Sequence, residues 1–483
     1  MTDATTSKYE AVIGLEVHIQ LLTQSKLFCG DSAAYGGKPN THISPITMAH
    51  PGTLPVLNKK AVEYAIRLGI ALGCDITRHG FFDRKHYFYP DLPKAYQTSQ
   101  MLFPICMGGE LKINVNSTED TVQIHHIHLE EDAGKSIHDA DDDFTCIDLN
   151  RAGVPLLELV TDPVIHNADE AFAFLTELRK LVRWLGICDG NMEEGSLRCD
   201  ANISIRPTGE TKLGTKVEVK NLNSIRNVKR AIEGEIIRQT KLVEKGESII
   251  QQTRGYDADN NTTAPQRDKE QANDYRYFPC PDLPPFEVSD AYLDSIKAEV
   301  PKLPEQLLQQ YVTIWSLPMQ DAKVLTEDKP TSDYFNELIQ ATPHAKAAAN
   351  WMLGPVKSWL NEHNSSIEAW PLTATSLASL IELVQSGKVN FSIASSKILT
   401  ALLAEPSANP LALATSLNLL QDSNDDQLKT WVSEVISKMP DKVVEYQKGK
   451  KGLIGLFVGE VKKLSKGKAD PQKVTALLQD LLK

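Results

Sequence analysis

Apolar residues recur at every second position from Ala11 to Leu21, within a run from Tyr9 to Thr23. Ala11, Ile13, Leu15, Val17, Ile19 and Leu21 share one face, and Glu16, His18 and Gln20 the other, the two-residue period of a half-buried strand. The period returns at Ser196–Arg206, where Leu197, Cys199, Ala201, Ile203 and Ile205 oppose Ser196, Arg198, Asp200, Asn202, Ser204 and Arg206. It returns again at Lys216–Lys220, with Val217 and Val219 inward and Lys216, Glu218 and Lys220 outward. Helices are predicted from Lys60 to Gly73 and from Asn167, where N-A-D-E forms a capping box, to Gly186. A third starts at Ser224 and carries Ile225, Val228, Ile232 and Ile236 as an apolar stripe before Gly246. Beyond about residue 290 the alternation fades and helical patterns dominate, with Glu405–Pro410 as a linker. The prediction is an α+β chain in three parts: a mostly antiparallel β region with flanking helices (1–292), an all-α domain (293–405) and a small all-α tail (411–483).

Length fits this division, since 483 residues at roughly 150 per domain give about three domains. A hydrophobic fraction of 41% with 24% charged residues is globular and excludes global disorder. No run approaches the roughly 18 apolar residues of a membrane span. The start, MTDATTSKYE, lacks the basic and apolar regions of a secretory signal. Seven scattered cysteines without a C-x-x-C suit reduced thiols, and the chain is expected in the cytoplasm. A net charge of −12 argues against a protein that coats nucleic acid over its whole surface.

The polar strand faces carry the candidate chemistry. Glu16/His18/Gln20, Arg198/Asp200/Asn202 and Glu218/Lys220 are either the wet side of a sheet or a face that binds Mg²⁺ and phosphates. The second reading gains from Lys220-Asn-Leu-Asn-Ser224, which leads from a strand into a helix N-terminus, a place where free N–H groups meet anions. In His125-His-Ile-His-Leu-Glu-Glu-Asp132, the residues His126, His128 and Glu130 share one strand face, with Glu131 at the strand end. A transition-metal site and plain packing are both open there, and the carboxylates suit a hard cation. Gly134-Lys-Ser136 fails as a phosphate loop because Leu129 stands where a glycine is required. Gly186-Ile-Cys-Asp-Gly190 resembles a nucleophile elbow, but a helix leads into it where a strand is needed, so Cys188 is expected to be structural. Residues 442–473 hold nine lysines against Glu445, Glu460 and Asp470. This is a candidate contact for a phosphate backbone, or a solvated helical surface.

Eight motifs then resemble a family in order along the chain: residues 11–18 (AVIGLEVH), 51–58 (PGTLPVLN), 83–97 (DRKHYFYPDLPKAYQ), 128–135 (HLEEDAGK), 149–163 (LNRAGVPLLELVTDP), 190–202 (GNMEEGSLRCDAN), 218–224 (EVKNLNS) and 274–285 (DYRYFPCPDLPP). They are similar to the B subunits of aspartyl/glutamyl-tRNA(Asn/Gln) amidotransferases, as is the tail at 449–472. The resemblance implies a cradle-shaped kinase/amidotransferase domain, a helical domain and a tail that grips tRNA. It implies ATP-dependent phosphorylation of the side-chain carboxylate of Glu-tRNA(Gln) or Asp-tRNA(Asn), then amidation by ammonia from a partner amidase. The implied partners are the amidase (A) subunit, the small C subunit and the mischarged tRNA; the alternative is a protein that only holds tRNA. Matching motifs assigns Mg²⁺ to Glu16, His18, Glu131 and Glu218, catalysis to Lys220, Arg198 and Asp200, and the ATP side to Asn202, Asn221 and Ser224. Some members carry a cysteine-ligated zinc; here Cys29 is joined by Asp31, Ser44 and Thr47. One thiolate does not make a tetrahedral Cys₄ site, so no zinc is expected.

Overall fold

The computed structural model describes residues 8–138, 141, 143–268, 275–421, 425–465 and 469–482. The chain divides into two compact units, Met1–Leu303 and Pro304–Lys483. The first is built on a ten-stranded sheet. Seven of its strands matter here: β1 (Tyr9–Gln20), β2 (Thr118–Glu131), β3 (Pro155–Thr161), β4 (Leu197–Pro207), β5 (Val217–Leu222), β6 (Gln252–Asp257) and β7 (Thr262–Asp268). Their order across the sheet is β7-β6-β5-β4-β1-β3-β2, followed by the short strands Cys106–Met107 and Asp75–Ile76. All these neighbours run antiparallel except β5 and β6, which are parallel.

The alternation sorts the faces as the sequence predicts. Ile13, Leu15, Val17 and Ile19 of β1 join Leu197, Cys199, Ala201 and Ile203 of β4 and Ile127 and Leu129 of β2 in one core. Among the helices that line that core are α1 (Lys59–Ala71), α2 (Ala168–Trp184) and α3 (Ile225–Glu244). Their starts follow from capping, which satisfies the orphan N–H groups of a first turn. The Asn58 side chain accepts from Lys60 N at 2.9 Å, and the Ser224 hydroxyl accepts from Asn227 N at 3.1 Å. At α2 the box is complete: Asn167 accepts from Glu170 N at 2.9 Å, and Glu170 accepts from His166 N at 2.7 Å. The opposite face of the sheet, where β1, β3, β2, β4 and β5 meet, carries the polar side chains.

One local feature departs from the expected turn after Lys220. The strand continues to Leu222, and Lys220 and Asn221 together oppose Asp200, because the register shifts between Ala201↔Val219 and Cys199↔Leu222. Asn221 takes a φ of 67° there, a left-handed conformation that asparagine tolerates and that an added strand residue requires.

The second unit is helical. Residues Leu428, Val432, Val435, Tyr446, Phe457, Val461, Val474 and Leu478 form a core of their own within it. Of the tail lysines, Lys442 and Lys450 both pair with Glu445 (2.8 and 3.0 Å), and Lys463 pairs with Glu460 at 2.6 Å. Lys466 and Lys468 lie outside the described residues. Among the described residues no helix is long and apolar enough to cross a membrane.

Candidate active site

Strand register builds the site in rows. His18 on β1 lies opposite Arg198 of β4 on one side and Glu158 of β3 on the other, and Glu158 lies opposite His128 of β2. One straight row thus reads His128, Glu158, His18, Arg198 across four strands spaced about 4.8 Å apart. In the adjacent row Glu16 faces Asp200, and the bulge in β5 brings Lys220 beside that aspartate.

The side chains close this grid into a cluster. Glu158 Oε2 lies 3.2 Å from His18 Nε2 and 3.6 Å from His128 Nε2, so one carboxylate oxygen serves two imidazoles. Glu130 lies 3.1 Å from His128 and 3.7 Å from His18, and Glu16 lies 4.0 Å from His18. Lys220 Nζ sits 2.7 Å from Asp200 and 3.6 Å from Glu218. Lys85, on the strand Asp83–His86, stands over the rings of Tyr87 and Tyr275 at 5.7 and 5.2 Å. Its ammonium feels the charges of Tyr277, Glu130 and Glu158, which outweigh burial and raise its pKa.

Crowding of like and unlike charge at low exposure sets the protonation states. Burial, then the neighbouring Glu158 carboxylate, hold the Glu16 carboxyl up to about 7 from an ordinary 4.5. Burial would lower His18, but its hydrogen bond to Glu158 and the Glu158 and Glu130 charges carry it up to about 9. Burial would raise Glu158, yet His128 and His18 keep it well below the usual carboxylate range. For Lys220, Asp200 and Glu218 overcome burial and fix the ammonium in its charged form.

The placement of the motif-matched residues is uneven. Glu16 and His18 come together, and Arg198, Asp200 and Lys220 border them. Asn202 faces Gly14 on one side and Glu218 on the other, and its Oδ1 is buried without a hydrogen-bond partner. Glu218 stands two strands from Glu16, paired with Thr253 Oγ1 at 2.7 Å. Glu131 is placed apart from them. Consecutive strand residues point to opposite faces, and Glu130, in step with His126 and His128, is the one that reaches the cluster. Glu131 instead accepts from Thr98 N at 2.8 Å, pairs with Lys94, and lines a cavity of about 410 Å³ with Lys26 and Asp132. Asn221 donates its side-chain amide to Tyr256 O at 3.3 Å, and Ser224 serves as the cap of α3.

Two residues of the cluster are not singled out by the sequence patterns. Glu158 lies within Pro-Leu-Leu-Glu-Leu-Val-Thr, a run that reads as buried on both faces; the one acid in it is the signal that its face meets polar partners. Lys85 is hidden because its strand is only four residues long.

Elsewhere, Cys188 is packed, in contact with Ser196 O at 3.5 Å, and burial pushes its thiol up to about 12. That state is unreactive. The positions Cys29, Asp31 and Thr47 do converge: Cys29 Sγ lies 3.5 Å from Thr47 Oγ1, which donates to Asp31 Oδ2 at 2.5 Å, and Ser44 also hydrogen-bonds Asp31.

The cluster suits a divalent cation. Among the described residues, Glu16, His18 and Glu158 form one group whose ligand atoms lie within 4.8 Å of one another, and His128, Glu130 and Glu158 form a second. A carboxyl held up to about 7 and the partnerless Asn202 Oδ1 mark a place where positive charge and a donor are lacking. Oxygen-rich sets of this kind fit hard cations.

Comparison with known proteins agrees with this architecture. Residues 11–294 match the family model described as the GatB/GatE catalytic domain, and residues 333–482 match the GatB domain. The chain is 46% identical over 476 residues to the B subunit of the aspartyl/glutamyl-tRNA(Asn/Gln) amidotransferase of Thermodesulfovibrio yellowstonii, covering 99% of this chain and 100% of the relative. The corresponding B subunit of Syntrophotalea carbinolica is 44% identical, with 99% of both chains covered. That of Thermosynechococcus vestitus is 45% identical, with 99% and 98% covered. The polar rows described above lie within the matched catalytic domain, and the chain belongs to the family of aspartyl/glutamyl-tRNA(Asn/Gln) amidotransferase B subunits.

Proposed function

We propose that the chain is the ATP-dependent transamidating component of a tRNA-dependent amidotransferase. It activates the side-chain carboxylate of Glu-tRNA(Gln), Asp-tRNA(Asn) or both, and converts it to the amide with ammonia released by the amidase (A) subunit, in a complex completed by the small C subunit. The reading rests chiefly on one observation: Glu16, His18, Glu130 and Glu158 meet on one sheet face and are flanked there by the cations Arg198 and Lys220.

The chemistry explains why such a face is needed. A carboxylate is a poor acyl donor, so one of its oxygens first attacks the γ-phosphorus of ATP and ADP departs. Ammonia then attacks the acyl carbon, inorganic phosphate leaves, and the nitrogen loses a proton. Both steps load negative charge onto phosphoryl oxygens, and catalysis of such transfers is mainly positioning and charge stabilisation. Glu16, His18 and Glu158, with Glu130 behind them, would hold Mg²⁺, which when bound neutralises part of that charge. Lys220, held charged by Asp200, and Arg198 supply the rest. Asn202 offers its partnerless amide oxygen to the nucleotide side. Asn221 and Ser224 act on that side indirectly, the first by shaping the bulge that delivers Lys220, the second by starting α3. An acyl phosphate is lost to water, so this mixed anhydride and the ammonia need to meet in a closed site. The work of the protein lies with translation, in the cytoplasm.

The deciding experiment combines this chain with the A and C subunits, ATP, Mg²⁺ and either mischarged tRNA, with glutamine or an ammonium salt as nitrogen donor. Amide formation with at least one tRNA is expected, and no glutaminase activity from the chain alone. A complex carrying Glu16→Gln that forms amide at the wild-type rate would leave this chain only a tRNA-holding role. The tail has its own test. Removing residues 422–483, which carry the Leu428–Leu482 core, is expected to weaken binding of mischarged tRNA about tenfold and to flatten its salt dependence by about two log units per log unit of salt. Equal affinities at one fixed salt concentration would exclude the tail from tRNA binding.

A further inference from the structure

We propose that Asp132 is a positioning residue that acts through Arg198, presenting the guanidinium to the phosphoryl group. The inference rests on the reading that Arg198 faces that group.

Asp132 follows β2 and is 5% exposed. Its backbone is pinned on both sides to the Arg151–Val154 turn: Asp132 N donates to Val154 O at 2.8 Å, and Gly153 N donates to Asp132 O at 2.8 Å. The side chain has no freedom either. Oδ1 accepts from Ala133 N at 2.9 Å, and Oδ2 accepts from an Arg198 terminal nitrogen at 3.0 Å, with Arg151 Nε 3.4 Å away. Arg151 is itself fixed by donating to Ala133 O at 3.0 Å and Gly134 O at 2.6 Å.

This arrangement is poorly explained as a salt bridge made for stability. One carboxylate stands between two guanidiniums, so the group carries a net positive charge. Arg198 Nε is buried and has no hydrogen-bond partner, a state that is costly when nothing fills it. The charge of Arg198 also reaches the cluster: it opposes protonation of His18, and Glu130 and Asp200 help to hold it charged. A guanidinium anchored at one edge, unpaired along another and adjacent to His18 is a built receptor for an anion that arrives with substrate. Its planar fork matches phosphoryl oxygens. Asp132 fixes the direction of that fork and touches no substrate itself.

The test uses the three-subunit complex with ATP, Mg²⁺, mischarged tRNA and an ammonium salt. Arg198→Gln is expected to lower kcat about a hundredfold, Asp132→Asn to lower it nearly as much, and the double variant to be no slower than Arg198→Gln alone, because both changes break one unit. The KM for tRNA stays unchanged while that for ATP rises. Guanidinium ion added to Arg198→Ala is expected to restore part of the rate only when Asp132 is present. If Asp132→Asn fails to assemble, Asp132→Glu keeps the charge but moves the oxygens, and its kcat is expected to fall between wild type and Arg198→Gln. Multiplicative losses in the double variant, equal rescue without Asp132, or an unimpaired Asp132→Glu would overturn the inference while leaving Arg198 in its role. Wild-type rates for Arg198→Gln would overturn the assignment of Arg198 and the inference with it.

Discussion

Replacing Glu158 by glutamine is expected to lower ATP-dependent amide formation about a thousandfold, and to do so equally with glutamine or ammonium as the nitrogen source. The size of the effect follows from geometry. A single oxygen, Oε2, faces His18 at 3.2 Å and His128 at 3.6 Å, and the two imidazoles hold that carboxylate ionised. Glutamine keeps the shape but removes the charge, so two imidazoles lose their counter-ion and the ligand group of Glu16, His18 and Glu158 loses one of two carboxylates. Removing one preorganised stabilising group from an active site typically costs about 10²–10³ in rate, and here the same change also weakens cation binding. The loss falls on activation rather than nitrogen supply, so ammonium does not bypass it, and binding of mischarged tRNA stays intact. A rate within twofold of wild type with either donor would remove Glu158 from the machinery. His126→Ala is the comparison: that ring stacks on His128 at 5.5 Å without belonging to either ligand group, and a loss of about threefold or less is expected from the change in packing alone.

The sequence shows much of this molecule because a two-residue period has one solution per strand. Val17 and Ile19 face inward, so Glu16 and His18 face outward, and the same logic holds for Arg198 and Asp200 on β4. Capping residues set helix starts for equally local reasons, as at Asn167 and Ser224. What the chain conceals is whatever depends on register between distant strands. Glu158 joins the site only because β3 pairs with both β1 and β2, placing residues about 30 and 140 positions away on either side of it. Glu131 shows the opposite case: motif matching favours it over Glu130, while alternation alone, counted from His126 and His128, puts Glu130 on the face of the cluster. The Lys220 position is equally non-local. Its reach to Asp200 depends on the bulge at Asn221, and Asn-Leu-Asn reads as a turn when its partner strand is unknown.

The second large effect concerns stability, and it runs against activity. Glu16→Gln is expected to abolish amide formation and yet to stabilise the first unit in cation-free buffer at pH 8. The Glu16 carboxyl rests at about 7 in the folded chain against 4.5 ordinarily. A carboxyl whose folded pKa is raised binds its proton more tightly when folded, so there is no penalty below pH 4.5, a growing one between pH 4.5 and 7, and a constant one above. Each pKa unit corresponds to about 1.4 kcal/mol, which puts the gain for the glutamine variant at about 3–4 kcal/mol above pH 7 and near zero at pH 4.5. His18, carried up to about 9, adds stability that is fully present below pH 6.5 and is lost as the pH rises through 9, so it steepens the same decline in both proteins without closing the gap. Mg²⁺ reverses the order. A ligand that binds only the folded chain stabilises it by mass action, and the wild-type protein, with Glu16 as a ligand, gains where the variant does not. Urea unfolding at pH 4.5 and pH 8, with and without Mg²⁺, reads all four states. A variant no more stable than wild type at pH 8 without the cation would show that Glu16 is not strained by its neighbours, and one stabilised by Mg²⁺ as strongly as wild type would show that it is not a ligand. A strained carboxylate that only a cation relieves is how a site trades folding energy for affinity, and at Glu16 burial and the adjacent Glu158 charge set that strain in place before any cation arrives.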